Sequence, residues 1–483
     1  MSVLAGLSPE GVFRNFEELT KIPRESGNEK AVSDYLVEFA KKNDLEVIQE
    51  ECLNVIIKKT GTKGYENAPT VILQGHMDMV CIKRDDLDFD FTKDPIPVVV
   101  DGDWIKTDGT TLGADNGIAV AMAMAILESN DIPHPPLVAL ITVAEETGMD
   151  GVVSLKPENI SGNILINIDS EEEGVLLASC AGGVNNIAHL PIEWSQLDGQ
   201  KEAYQISIKD LMGGHSGIEI NKNRASAIKL LGRLLEAINK NIKFDLAKAK
   251  GGEKMNAIPK TADAIVSIDP QDKEKLEEIV KQYQGIFSSE FEVADPNIKI
   301  DLKKVDKVEK IFSEKTKSSL ISLLRLIPFG VQTMSASIKG LVESSNNIGI
   351  LATEENEVII NSALRSSVRT LKDEMNSRIE AICNLTGANM ELVADYPEWQ
   401  FKVDSPIRDL MKEVYQDMYG KEVKVDAIHA GLECGFLKDK VGDIDMISMG
   451  PNMHDVHTPN ERLSISSTKN VFEFLCETLK RLK

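Results

Sequence analysis

Only seven histidines occur among 483 residues, so those standing beside carboxylates are the first candidates for metal ligation or proton transfer. His76 lies in Gly75-His76-Met77-Asp78. In an extended chain, positions i and i+2 share one side. Asp78 can therefore accept one ring N–H and leave the other ring nitrogen to a metal. Taken alone, these residues also read as a hydrogen-bonded histidine at a strand end. Asp115, in Leu112-Gly113-Ala114-Asp115-Asn116-Gly117, stands at a helix start, the ordinary place of an N-cap. Its flanking glycines permit close approach of backbone or ligand, and equally a tight turn. Glu145 and Glu146, in Ala144-Glu145-Glu146-Thr147-Gly148, end an apolar strand. Neighbours there point in opposite directions, and two anions placed together without a cation are costly. A metal removes that cost if one Glu ligates while the other works as a base on a metal-bound water. The plainer alternative is a solvated strand end. Most of the acidic run Asn167-Ile168-Asp169-Ser170-Glu171-Glu172-Glu173 reads as solvated surface, but Asp169 directly ends another apolar strand. A loop, Met453-His454-Asp455-Val456-His457-Thr458-Pro459-Asn460-Glu461-Arg462, adds two more histidines.

Each of these residues has a structural reading by itself. Together they make a histidine, four carboxylates and a second histidine, about the N and O ligand count of two divalent metals. Cysteine is absent from the set, which excludes a structural zinc site. A His/carboxylate set with open positions suits a catalytic pair of zinc-like ions.

The elements that must position these groups follow from pattern. Ser26-Gly27-Asn28-Glu29 has the form of a capping box opening a helix to residue 39. Residues 71–74, 137–144 and 163–168 are apolar, β-rich runs, as strands covered on both faces should be. Residues 115–127 read as a buried helix. Strands alternating with helices predict an α/β layered domain, and ligands in such sheets gather at the carboxyl ends of the strands. His76 and Asp78, Glu145 and Glu146, and Asp169 each follow one such strand. From about residue 182 to residue 395 the pattern changes to a second α/β unit with few metal-type ligands. Its strands fall near 204–208, 264–268 and 357–360, and its amphipathic helices near 225–238, 272–283 and 370–383. The last stretch returns to the first pattern, with a helix at 406–419, a strand at 444–448 and a closing helix at 467–482. The expected fold is α/β: a discontinuous catalytic domain, 1–181 and 396–483, with a mixed, mostly parallel sheet flanked by helices. An α/β domain, 182–395, is inserted into it.

Composition narrows the function. Acidic residues outnumber basic ones 77 to 54, giving a formal charge of −23, which argues against a nucleic-acid partner. Hydrophobic residues at 42% and charged residues at 27% exclude a collagen-like, low-complexity or wholly disordered chain. No apolar run reaches the roughly 18 residues of a membrane span. The N-terminus has neither a basic n-region nor an apolar h-region, so no signal peptide is expected. Six scattered cysteines without a CxxC fit free thiols and a cytoplasmic location. Neither GxGxxG nor GxxxxGK[ST] occurs, which sets nucleotide binding aside.

Six segments, in order, carry a family resemblance: Gly75-His76-Met77-Asp78-Met79-Val80, Leu112-Gly113-Ala114-Asp115-Asn116-Gly117, Ala144-Glu145-Glu146-Thr147-Gly148, Ile168-Asp169-Ser170-Glu171, Gly213-Gly214-His215-Ser216-Gly217 and His457-Thr458-Pro459-Asn460-Glu461. Over essentially its whole length the chain resembles the co-catalytic zinc metallopeptidases of aminopeptidase, carboxypeptidase and aminoacylase type, and within them the dipeptidases. The resemblance implies that His76 and Asp169 bind one metal, Glu146 and His457 the other, and that Asp115 bridges them. Asp78 would orient His76, and Glu145 would be general base and acid toward a metal-bridged water. Of the loop histidines, His457 matches the ligand position and His454 does not. The inserted domain resembles a lid and dimerisation domain, implying a homodimer. In it, His215 would hold the substrate's carbonyl oxygen, and Asn256 and Arg365 would touch substrate. His429 and Glu433 lie in another family-like segment, with Glu433 expected to face the substrate. The implied cofactors are two divalent ions per chain, Zn2+ first and Co2+ or Mn2+ as alternatives. The implied substrates are unblocked dipeptides, of Xaa-His type and broader. An N-acyl amino acid deacylase would share the metal residues, and a non-catalytic homologue would not need Glu145.

Overall fold

Strands Val71–His76, Leu137–Thr142 and Ile164–Asn167 are buried at every position, as their unbroken apolar runs require. With Asp445–Ser448 they form the parallel heart of an eight-stranded mixed sheet, in the spatial order 137–142, 71–76, 164–167, 445–448. On one side, Val55–Lys59 and then Glu46–Gln49 continue the sheet antiparallel. On the other, Val175–Cys180 pairs antiparallel with Asp445–Ser448, and Lys424–Ile428 closes the edge. The computed structural model describes residues 2–483. The chain divides into two compact units: residues up to Ser179 with Phe401–Ala427 and Leu432–Lys483, and Cys180–Gln400 with Ile428–Gly431. The mixed sheet belongs to the first.

Helix Ala114–Glu128 buries nearly every residue from Asn116 to Leu127. It is apolar all round, so it must be covered on all sides. The core of this unit meets that need, with Phe13, Phe16, Leu73, Ile118, Met122 and Leu475 in one cluster. The closing helices start on serine caps: Ser405 accepts from Arg408 N–H ahead of Pro406–Tyr419, and Ser464 from Ser467 N–H ahead of Ile465–Arg481. The expected capping box at residues 26–29 does not form. The helix there is Lys30–Lys42 and has no side-chain cap. Ser26 Oγ instead donates to Asp78 at 2.7 Å, and Glu29 accepts from Gly27 and Ala144 N–H. Tertiary partners outcompete the local motif.

The second unit is built on a nine-stranded antiparallel sheet. Strands Glu202–Lys209, Ala262–Ile268 and Glu357–Ser366 alternate largely between buried and partly exposed residues. One face therefore packs on helices Ala227–Asn241, Lys273–Glu290, Glu314–Leu326 and Arg369–Thr386, as such a sheet permits. Among the described residues no cysteine forms a disulfide. Among the described residues, no helix is long and apolar enough to cross a membrane.

Strand Val71–His76 lies close enough to helix Ala114–Glu128 that a Cβ on Gly75 would overlap the Asn116 amide oxygen and come 2.8 Å from Ala119 Cβ. Gly75→Ala is therefore expected to lower the unfolding free energy by about 1–3 kcal/mol. Denaturant unfolding measures this, and an unchanged midpoint would contradict the close packing.

Candidate active site

Five stretches of the first unit meet at the carboxyl edge of its parallel strands. His76 is the last residue of Val71–His76, and Asp78 follows it. Glu145 and Glu146 follow Leu137–Thr142 through Ala144, which adopts a left-handed φ of 52°. Asp169 follows Ile164–Asn167. Asp115 enters its helix behind Gly113, left-handed at φ 68°, and itself has non-helical backbone angles. His457, left-handed at φ 59°, lies on the loop between Met453–His454 and Arg462–Ser464. Asn116 ties two of these stretches together. Its Oδ1 accepts from His76 N–H at 3.2 Å, and its Nδ2 donates to the Ile168 carbonyl at 2.8 Å.

The donor atoms fall into two trios that share Asp115. His76 Nε2 lies 3.2 Å from Asp115 Oδ1 and 3.5 Å from Asp169 Oδ1. His457 Nε2 lies 3.1 Å from Asp115 Oδ2 and 2.9 Å from Glu146 Oε1. Donors around a tetrahedral ion with bonds of about 2.0–2.2 Å stand roughly 3.3–3.6 Å apart, close to these spacings. Donor atoms of His76, Asp115 and Glu146 also lie within 4.8 Å of one another. Asp78 braces the set. Its Oδ1 is 3.3 Å from His76 Nδ1, and its carboxylate accepts from Ser26 Oγ and from the N–H groups of Glu145 and Glu146.

The electrostatics show a site short of positive charge. Burial opposes the His76 cation, yet Asp169, Asp115 and Asp78 hold its pKa well above the usual value. Hydrogen bonds to Asp115 and Glu146 lift His457 to about 10. Burial works to raise Asp115, but His457 and His76 hold it below the usual carboxylate range. Burial, reinforced by Asp115 and Glu146, pushes Asp169 up to about 6 despite His76. Burial, with the charges of Asp169, Glu433 and Glu146, pushes Glu145 up to about 9 against the pull of His76. Two imidazoles cannot neutralise this many carboxylates, so protons compensate. Divalent cations would do so without them, and the N/O donor set fits such ions.

Not every candidate joins this cluster. Glu433 is fully buried, accepts from Gln74 Nε2 at 2.6 Å and Thr142 Oγ1 at 2.8 Å, and is pushed up to about 7 chiefly by burial. His454 packs against the Trp104 ring, centroids 5.2 Å apart. Within the second unit, His215 Nδ1 accepts from Gly217 and Ile218 N–H at 3.1 and 3.2 Å, which puts the ring proton on Nε2. Arg365 Nη1 donates to Tyr396 OH at 2.7 Å. Asn256, Arg365, Asn185 and Tyr396 line a concavity of about 370 Å3. His429 is buried, 2.7 Å from Ser345 Oγ.

Sequence reasoning missed two residues at the first unit's site. Glu461, quoted only as the end of a motif, accepts four backbone N–H groups from residues 112–115. Arg24, buried and outside every motif, donates to the carbonyls of Met77, Asp78 and Gly113.

Comparison with known proteins matches this architecture to a class. The model of peptidase family M20/M25/M40 matches residues 72–481, and the chain belongs to that family of hydrolases acting on peptide bonds. The resemblance carried by the six segments is thus borne out. Over 482 residues the chain is 37% identical to the cytosol non-specific dipeptidase of Escherichia coli (strain K12), covering 100% of this chain and 99% of that protein. It is 34% identical to the aminoacylhistidine dipeptidase of Vibrio alginolyticus, whose crystal structure covers 99% of this chain and 98% of its own at a TM-score of 0.96. Aminopeptidase PepT from Bacillus cereus ATCC 10987, 15% identical with a TM-score of 0.58, shares the fold.

Because Asp115 gives one oxygen to each trio, Asp115→Ala should depress uptake of Zn2+ by chelated protein more than Asp169→Ala or Glu146→Ala, each of which touches one trio. Metal analysis after dialysis measures this, and equal losses in all three would contradict the shared arrangement.

Proposed function

We propose that the protein is a metal-dependent dipeptidase that hydrolyses unblocked dipeptides, Xaa-His among them, with two divalent ions bound. The observation that carries this reading is the carboxylate of Asp115 facing two separate His/carboxylate pairs. Two full-length relatives named dipeptidases support the substrate class. His76, Asp169 and one oxygen of Asp115 would hold one ion, and Glu146, His457 and the other oxygen would hold the second. Zn2+, Co2+ and Mn2+ all suit these donors. Bound there, the ions would supply Lewis-acid polarisation of the scissile carbonyl and would acidify water.

The chain's own residues do the rest. Asp78 fixes the ring of His76, so that Nε2 keeps its lone pair toward the trio. The Glu145 carboxylate takes a proton from the attacking water and returns it to the leaving amine. His215, with its ring proton on Nε2, is the group that would donate to the substrate's carbonyl oxygen and stabilise developing negative charge there. Arg365 is the group for the substrate's carboxyl end, since a guanidinium pairs with carboxylate in a two-pronged fashion, and Asn256 beside it adds a polar contact. Reading the carboxyl end limits substrate length, which favours dipeptides. Glu433 belongs to the support beneath this chemistry rather than to its polar surface. The name of the Escherichia coli relative supports a cytosolic setting, and the second unit is proposed as the contact of a homodimer.

Glu145→Ala should keep its metal content while kcat on β-alanyl-histidine falls by about 10²–10⁴. Full activity with metal retained would overturn the role of Glu145. Unmodified protein should cleave free dipeptides and leave N-acetylated amino acids intact. The reverse preference would make it a deacylase using the same site.

A further inference from the structure

We propose that Arg24 and Glu461 are positioning residues that bracket the backbone of residues 112–115, hold Asp115 between the two trios, and so set the affinity of the site for divalent ions. The inference rests on the metal-site reading above and assigns work to residues that carry no ligand role in it.

Glu461 is 2% exposed, and both of its oxygens are engaged. Oε2 accepts from Leu112 N–H at 2.7 Å and Gly113 N–H at 3.0 Å, while Oε1 accepts from Ala114 N–H at 2.8 Å and Asp115 N–H at 3.3 Å. Those donors open the helix, where the first N–H groups lack intrahelical partners. An Asp at such a place ordinarily turns its carboxylate onto them. Here the N-cap position is Gly113, which has no side chain to offer, and Glu461 supplies the acceptors instead. Both oxygens of Asp115 are thereby released to face His76 and His457. Glu461 also lies four residues beyond His457 on the same loop, so its contacts tie the ligand of one trio to the residue both trios share.

Arg24 grips the other side of the same backbone. It is 2% exposed. Nη1 donates to the carbonyls of Met77 at 3.0 Å and Asp78 at 3.2 Å, and Nη2 donates to the Gly113 carbonyl. One planar fork thus joins the stretch after His76 to the stretch before Asp115. The space it fills is kept open by glycine, since a Cβ on Gly117 would lie 2.7 Å from Arg24 Nη2 and a Cβ on Gly113 would overlap it. The two buried charges are opposite in sign, so neither is left uncompensated in the interior. Arg24 also lies outside residues 72–481, the part matched by the family model.

The test is Co2+ binding to chelated protein, followed by calorimetry and by the visible spectrum of the bound ion, for unmodified protein, Glu461→Gln and Arg24→Lys. Glu461→Gln keeps the shape but turns an NH2 group toward backbone donors. It should weaken Co2+ binding by about 10–100-fold, shift the cobalt spectrum and lower kcat while leaving KM for a dipeptide nearly unchanged. Arg24→Lys keeps the charge but cannot span three carbonyls, and should act in the same direction. If Glu461→Gln does not fold, Arg24→Lys carries the test. A residue that only supports packing would lower the unfolding midpoint and leave cobalt affinity and spectrum untouched, and that result in the folded variants overturns the proposal. Unmodified protein that takes up no Co2+ would instead overturn the metal-site reading, and this inference with it, before any substitution is compared.

Discussion

The carboxylate of Asp115, held with one oxygen toward His76 and the other toward His457, is the contact on which the rest of the first unit's chemistry depends. It concentrates negative charge at a buried sheet edge, where like charges repel in a low dielectric. The neighbours register the repulsion. Burial, with adjacent carboxylates adding to it, pushes Glu145 up to about 9 and Asp169 up to about 6 against the pull of His76. An arrangement so unfavourable to its own anions is sensible when a cation completes it. A fold that kept these groups together with protons alone would gain nothing from their proximity.

Everything nearby serves that placement. The parallel strands deliver His76, Glu145, Glu146 and Asp169 in register, because their carboxyl ends finish on one edge. Asp78 then binds the His76 ring to the backbone of the glutamate pair. Asn116 binds the start of the apolar helix to two strand ends. Left-handed backbone at Ala144 and His457 turns the chain where a strand or hairpin would have carried the side chain away. Such conformations are costly for residues other than glycine and persist where the surroundings over-determine them.

Much of this was legible in the sequence, for a physical reason. Residues that end unbroken apolar strands have little choice of location, so His76, Glu145, Glu146 and Asp169 could be assigned to one edge from pattern alone. Asp115 was harder, since an Asp at a helix start is ordinarily a cap. What cancels that reading is Glu461, 346 residues from Asp115 in sequence, and no local pattern reports so distant a partner. Arg24 left no signal either, because a single arginine recognised only by backbone carbonyls has no motif. The capping box at residues 26–29 misled for the related reason that Ser26 and Glu29 are claimed by Asp78 and Ala144. In the second unit three strands, near 204–208, 264–268 and 357–360, were readable, but the other six and the order of the nine-stranded sheet were not, since long-range antiparallel pairing is not encoded in any one strand.

The central claim is that one carboxylate serves two cations. Native mass spectrometry of chelated, unmodified protein titrated with Zn2+ tests it most directly. The account predicts saturation at two ions per chain. Saturation at one ion, or no uptake by folded protein, would contradict it.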